Sequence, residues 1–202
     1  MSKDEKKKNM VQMKVYDVGI DPSANVPIVF LKDLDGTFAM PIWIGFAEAA
    51  SIAAELHDVK MPRPITHDLL CNIMEEVGIE IERVEICDLR DNTFYANLYL
   101  KVGDRSIVID ARPSDSLALA LRTGASVWVA RKVLDNAHLI DLTNKAEAEK
   151  WSQLCFGKPL STWFCGNSHN LFHARFCHNI HSTGCGFMVA VSNRRAASAV
   201  HG

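Results

Sequence analysis

Residues 79–124, IEIERVEICDLRDNTFYANLYLKVGDRSIVIDARPSDSLALALRTG, carry the pattern that decides the fold. Residues 79–88 alternate apolar and polar side chains, with Ile79, Ile81, Val84 and Ile86 on one side, which reads as a half-buried strand with a bulge near Arg83. Residues 93–101 (TFYANLYLK) and 105–110 (RSIVID) form two more strands, joined through Val102-Gly103-Asp104. The period then changes to that of a helix over 114–123, with Ser114 as its N-cap behind Pro113 and Gly124 closing its end. Three hairpin-linked strands followed by one helix argue for an α+β domain with a mixed, mostly antiparallel sheet.

Working towards the N-terminus, the pattern repeats in outline. Residues 12–20 (QMKVYDVGI), 27–33 (PIVFLKD) and 37–44 (TFAMPIWI) read as strands, separated by Asp21-Pro22-Ser23 and by Leu34-Asp35-Gly36. Pro41 cannot donate to a ladder, so the third strand is expected at an edge or at a bulge. FAEAASIAAEL (46–56) is helical, with Ala49, Ile52, Ala53 and Leu56 on one face, and Met61-Pro62-Arg63-Pro64 stops it. A second helix over 67–77 begins at Thr66 as N-cap and ends at Gly78, giving three main helices in all. Beyond Gly124, SVWVA (126–130) is a short strand and 131–136 a last helical turn.

The boundaries that follow are a charged tail over 1–11, an α+β domain over 12–136, a polar helix-prone linker over 137–150 and an extension over 151–202. MSKDEKKKNM has no apolar segment behind it and so is no signal peptide. No apolar run approaches the ~20 residues of a bilayer span. A cytoplasmic protein with six reduced thiols is expected. All 24 acidic residues lie in 1–150 beside 18 of the 22 Lys and Arg, leaving that segment at −6 and residues 151–202 at +4. A net-acidic domain disfavours passive, sequence-independent nucleic-acid binding, and no basic recognition helix is present. In the extension, Cys165, His169, His173, Cys177, His181 and Cys185 recur every four residues. Such a row suits zinc, but the spacing lacks close CxxC pairs and the stretch is poor in helix formers, so a poorly structured or out-of-frame extension is the expectation.

Two loop-to-helix junctions concentrate the chemistry: PRPITHD (62–68) and DARPSD (110–115). Each sets an Arg before a Pro, then a hydroxyl residue at a helix start, then a carboxylate in the first turn. Capping alone explains Thr66, Asp68, Ser114 and Asp115. It does not explain Arg63 and Arg112, whose forks suit phosphate, or Asp110 at the end of an apolar strand, or His67, which could move a proton or bind metal.

Taken together, PIWIGFAEAASIA (41–53), PRPITHDLL (62–70), TFYANLYL (93–100) and IDARPSDSLALALR (109–122) resemble the bifunctional nuclease domain, over about residues 12–136. Ser116 stands where that family commonly has Ala. The resemblance implies an α+β domain that self-associates and, for some members, a nuclease acting on DNA and RNA. The candidate residues are chosen on chemical grounds. Asp110, Asp115 and Glu48 would hold magnesium or manganese, with His67, Asp68, Asp110 and Asp115 catalytic and Arg63, Arg112, Thr66 and Ser114 on substrate. The competing expectation is a non-catalytic regulatory or anion-binding oligomer, in which the same carboxylates are partners for the arginines.

Overall fold

The structure, a computed structural model, describes residues 9–156. Its elements are β1 (Met10–Asp21), β2 (Val26–Asp33), β3 (Phe38–Trp43), α1 (Phe46–Leu56), α2 (Thr66–Glu76), β4 (Ile79–Arg90), β5 (Thr93–Val102), β6 (Arg105–Ala111), α3 (Pro113–Thr123), β7 (Ser126–Ala130), α4 (Arg131–Leu134), β8 (Ile140–Asp141) and α5 (Lys145–Phe156). The eight strands form one open sheet in the order β6-β5-β4-β7-β1-β2-β3-β8. Every pairing is antiparallel except β4 with β7. The expected α+β class with a mixed, mostly antiparallel sheet is therefore the observed one.

β7 is what makes two hairpin sets into a single sheet. It returns from α3 to lie parallel to β4 and antiparallel to the start of β1, burying Val127 and Val129 between them. Because Met10–Met13 pair with Val127–Ala130, β1 begins at Met10, inside the segment expected to be tail. The bulge expected near Arg83 is present between Ile81 and Arg83, and the alternation slips again between Ile86 and Asp88. Pro41 sits on β3 opposite Phe30, and β8 covers only Phe38 and Ala39 on the other side, so the missing N–H falls on a stretch of free edge.

Three helices cover one face of the sheet. α1 buries Ala49, Ile52 and Ala53, while α3 buries Leu117, Ala118, Leu119 and Ala120. The alanines let the two axes approach closely, and Ile52 and Leu117 are fully enclosed, each contributing roughly 1.5–3 kcal/mol of burial. α2 packs more thinly, through Met74. On the opposite face, Ile28, Phe30, Ala39 and Ile140 form a second cluster against Leu142 and Trp151, with the Trp151 ring edge-on to Phe30 at 5.9 Å. β2 is thus covered on both faces, which accounts for its unbroken apolar run. The stretch read as a linker supplies β8 and the start of α5, so packing continues past residue 136 as far as Trp151. The Cys and His residues at 165–185 lie outside the described residues. No helix among the described residues is long and apolar enough to cross a membrane.

Candidate functional site

The helix starts differ by a residue from expectation. Thr66 is the first helical residue of α2 rather than its cap, and its side chain is exposed. The N-terminal donor is satisfied from the other direction, the Asp68 carboxylate accepting from the Ile65 N–H at 2.9 Å. In α3, Arg112 holds the cap position and Pro113 is the first helical residue, which places Ser114 inside the helix and buried rather than capping. Pro at that position fixes φ for the first turn.

That shift by one residue turns the Arg112 side chain across the start of its own helix. Its Nε and Nη2 donate to Asp115 Oδ2 and Oδ1 at 2.7 and 3.0 Å, and Nη2 also pairs with Glu48 Oε1 of α1 at 2.9 Å. The hydrogen bonds that Arg112 donates to Asp115, with the charges of Asp115 and Glu48 behind them, raise the Arg112 pKa further above its ordinary value. Glu48 stands one turn into α1, where Gly45 leaves room for its carboxylate; a Cβ on Gly45 would collide with Glu48 Oε2.

His67 closes the group. Its side chain, 13% exposed, has Nδ1 2.9 Å from Ser51 Oγ of α1 and Nε2 3.4 Å from Asp115 Oδ1. A carboxylate only accepts, so in a neutral imidazole the proton sits on Nε2 and Nδ1 receives the Ser51 hydroxyl proton. Ser51, 4% exposed and facing into the domain, was not among the residues expected at the site. Its only sequence signal is a hydroxyl in an alanine-rich helix face. Arg122 was missed too. It is 7% exposed on the last turn of α3 and donates to Asp68 Oδ1 at 2.6 Å, Ala118 O at 2.9 Å and Ser51 O at 3.3 Å. Against the upward push of burial, the Arg122 guanidinium and the Ile65 N–H hold the Asp68 carboxyl below its ordinary range. Arg122 therefore joins α1, α2 and α3, bonding the backbone of the same Ser51 whose hydroxyl meets His67.

Glu48, His67, Arg112 and Asp115 meet, then, with Ser51 added and Asp68 turned inward to Arg122. Arg63 is exposed and has no ion pair among the described residues. Asp110 does not join them. It pairs in register with Asn97, between the buried Ala96 and Leu98, so strand alternation turns it to the sheet face away from the three helices. The expected magnesium or manganese set of Asp110, Asp115 and Glu48 does not fit this arrangement: Asp110 lies on the other face, and the Arg112 guanidinium occupies the space between the other two. Among the described residues, no three His, Cys, Asp or Glu side chains stand together in a way that would hold a metal ion.

What the group can do follows from its parts. An imidazole fixed between a hydroxyl and a carboxylate can hold or move one proton. The guanidinium beside it is two-thirds exposed, so its fork is open to solvent on one side. Acid–base chemistry next to an anion-gripping cation is the combination present.

Comparison with known proteins bears on the same segment. An uncharacterized protein of Mycobacterium tuberculosis is 41% identical over 131 residues, covering 65% of this chain and 78% of that one. Bifunctional nuclease 1 of Oryza sativa subsp. japonica is 27% identical over 138 residues, and Bifunctional nuclease 2 of Arabidopsis thaliana 26% over 138 residues. The match spans 42% of the length of each of these plant proteins. The bifunctional nuclease domain itself matches residues 29–141, which run from within β2 through β8 and include every member of the clustered group. The chain belongs to the bifunctional nuclease domain family.

Proposed function

We propose that the chain is a nuclease that hydrolyses phosphodiester bonds of DNA and RNA at the group formed by Glu48, Ser51, His67, Arg112 and Asp115. It works as a self-associating protein of the cytoplasm. The observation that carries this reading is His67, held between Ser51 and Asp115 at the side of the exposed Arg112. In the reaction, water adds to phosphorus as the ester P–O bond breaks. The proton that the water sheds passes through the Ser51 hydroxyl to His67 Nδ1, and Asp115 supports the resulting imidazolium at Nε2. The imidazolium returns a proton to the leaving oxygen, and Arg112 turns its fork to the phosphoryl oxygens. Magnesium and manganese enter this reading as additives to titrate, with no step assigned to them.

The test is turnover on single-stranded DNA and RNA by the full chain, with magnesium, with manganese and with chelator. His67→Gln and Asp115→Asn run beside it, with circular dichroism as the check on folding. Loss of about 100-fold or more in both folded variants is expected. Equal trace cleavage by wild type and variants would sink the reading. The second reading would then lead: a non-catalytic, anion-binding regulatory protein, favoured by the way Arg112 is already matched by two carboxylates.

A further inference from the structure

Among the described residues, β6 is the outermost strand of the sheet and is paired on one side only, with β5. Edge strands are normally guarded by proline, a bulge, an inward-pointing lysine or shortness. The opposite edge follows that rule, with Pro41 on β3 and a two-residue β8 beyond it. β6 does not: Arg105–Ala111 runs seven residues in unbroken register with β5, and its middle exposes Ile107 at 39%, Val108 at 52% and Ile109 at 45%. On the helix-bearing side of the sheet, Leu69 and Ile73 of α2 and its C-cap Val77 are likewise exposed, one stripe at four-residue spacing.

The free edge is self-complementary. Gly103 and Asp104 close a two-residue hairpin turn, so Val102 and Arg105 exchange the first pair of hydrogen bonds and the pattern alternates from there. Arg105, Ile107, Ile109 and Ala111 thus direct their backbone groups to β5. Ser106, Val108 and Asp110 direct theirs outward. A second β6 laid antiparallel, with the two-fold axis at Val108, sets Val108 against Val108 and Ser106 against Asp110, which pairs outward groups with outward groups. It is the only register that overlaps all seven residues. On the outer face, the Ser106 hydroxyl meets the Asp110 carboxylate, which has no ion-pair partner within the chain among the described residues. On the inner face Ile107 meets Ile109, Arg105 faces the small Ala111, and nowhere do like charges stand opposite.

We propose that β6 is the seam of a homodimer, in which two copies pair their β6 edges antiparallel about Val108 and merge two eight-stranded sheets into one. The inference rests on the self-association proposed above and names its surface; it is argued from the sheet edge and is independent of any nuclease activity. It gives Asp110 a role, as the acceptor for Ser106 of the other copy.

The test is light-scattering mass of the full, reduced chain across a micromolar concentration series. Wild type should show twice the chain mass of 22.5 kDa. Val108→Asp and Val108→Lys each place like charges together at the two-fold axis. Each should run as a folded monomer, and an equimolar mixture of the two should return to the dimer mass. A wild type that stays monomeric, single variants that dimerise as wild type does, or a mixture that fails to associate would each overturn the proposal. If the variants misfold, amide hydrogen exchange on wild type decides it. The N–H groups of Ser106, Val108 and Asp110 should be protected when concentrated and lose that protection on dilution. Fast exchange at every concentration overturns the seam.

Discussion

Replacing Arg122 with methionine keeps most of the side-chain volume and removes one buried charge with three acceptors. The guanidinium reaches Asp68, Ala118 O and Ser51 O, at 2.6, 2.9 and 3.3 Å. Removing one partner of a fully buried ion pair costs about 3–5 kcal/mol, because the other charge is stranded. Here the stranded charge is less exposed to that penalty. Asp68 is 31% exposed and keeps its hydrogen bond from the Ile65 N–H, so part of its charge stays solvated and part stays bonded. The lost Ser51 carbonyl contact is long, and the Ala118 carbonyl belongs to a helix. A cost of about 2–3 kcal/mol is the resulting expectation. Urea unfolding of the full chain measures it, and a cycle with Asp68→Asn isolates the pair. The two changes should couple by about 1–2 kcal/mol, since removing both leaves no stranded charge. A loss under about 0.5 kcal/mol, or strict additivity, would refute the reading of Arg122 as the tie between α1, α2 and α3.

The same pair predicts a pH dependence. The Asp68 carboxyl is lowered from 3.8 in the folded chain, so its stabilisation is fully present above that value and fades as pH falls through the folded pKa. The stability gap between wild type and Asp68→Asn should therefore be constant near neutrality and close in acid; a gap unchanged down to pH ~2 would contradict it. A third prediction concerns α5. Trp151→Ala removes an edge-on contact with Phe30 and a ring contact with His138 from a half-buried site, and should cost about 1.5–2.5 kcal/mol in thermal or urea unfolding. No measurable change would mean that α5 does not hold the β2–β3 end of the sheet.

The elements that local chemistry specifies were legible, and those that depend on register were not. Alternation at 79–88, turn residues at 103–104 and helix periodicity at 46–56 and 114–123 each carry their own signal, and the strands and helices fall where those signals are. Pro41 likewise pointed to an edge or a bulge, and the sheet order makes it an edge. By contrast, the parallel return of β7 beside β4 is a tertiary choice that no local pattern encodes. The candidate site divides the same way. The two Arg-Pro junctions stood out as strings, and they do meet. Asp110 ends an apolar strand just ahead of the second junction, which in sequence suggests a coordinating carboxylate beside Asp115. The strand end between them inverts the facing, and that inversion depends on pairing with Asn97. Ser51 and Arg122 were missed because a serine among alanines and an arginine in a last helical turn look like ordinary helix surface. Burial changes what they are, and burial follows from packing.

Arg112 offers the sharpest test of how the group is used. Glu48 and Asp115 together bring two negative charges to one guanidinium, at 2.9 and 2.7 Å. Any phosphate that approaches must compete with both. Asp115 also faces His67, so its neutralisation disturbs two roles at once, whereas among the described residues Glu48 forms an ion pair with Arg112 alone. Glu48→Gln should therefore loosen Arg112 without touching the imidazole. Under the nuclease reading, the expected result is a several-fold lower KM for nucleic acid with kcat within a few-fold, because the change strengthens binding of ground and transition states alike. Gly45→Ala reaches the same end by a different force, since its Cβ displaces the Glu48 carboxylate sterically while the backbone, at φ −77°, accepts alanine without strain. Two unrelated substitutions that shift KM together would identify the Glu48–Arg112 pair as a competitor of substrate. A loss of kcat of about 100-fold in Glu48→Gln would refute that, because it would make the carboxylate itself part of the chemistry.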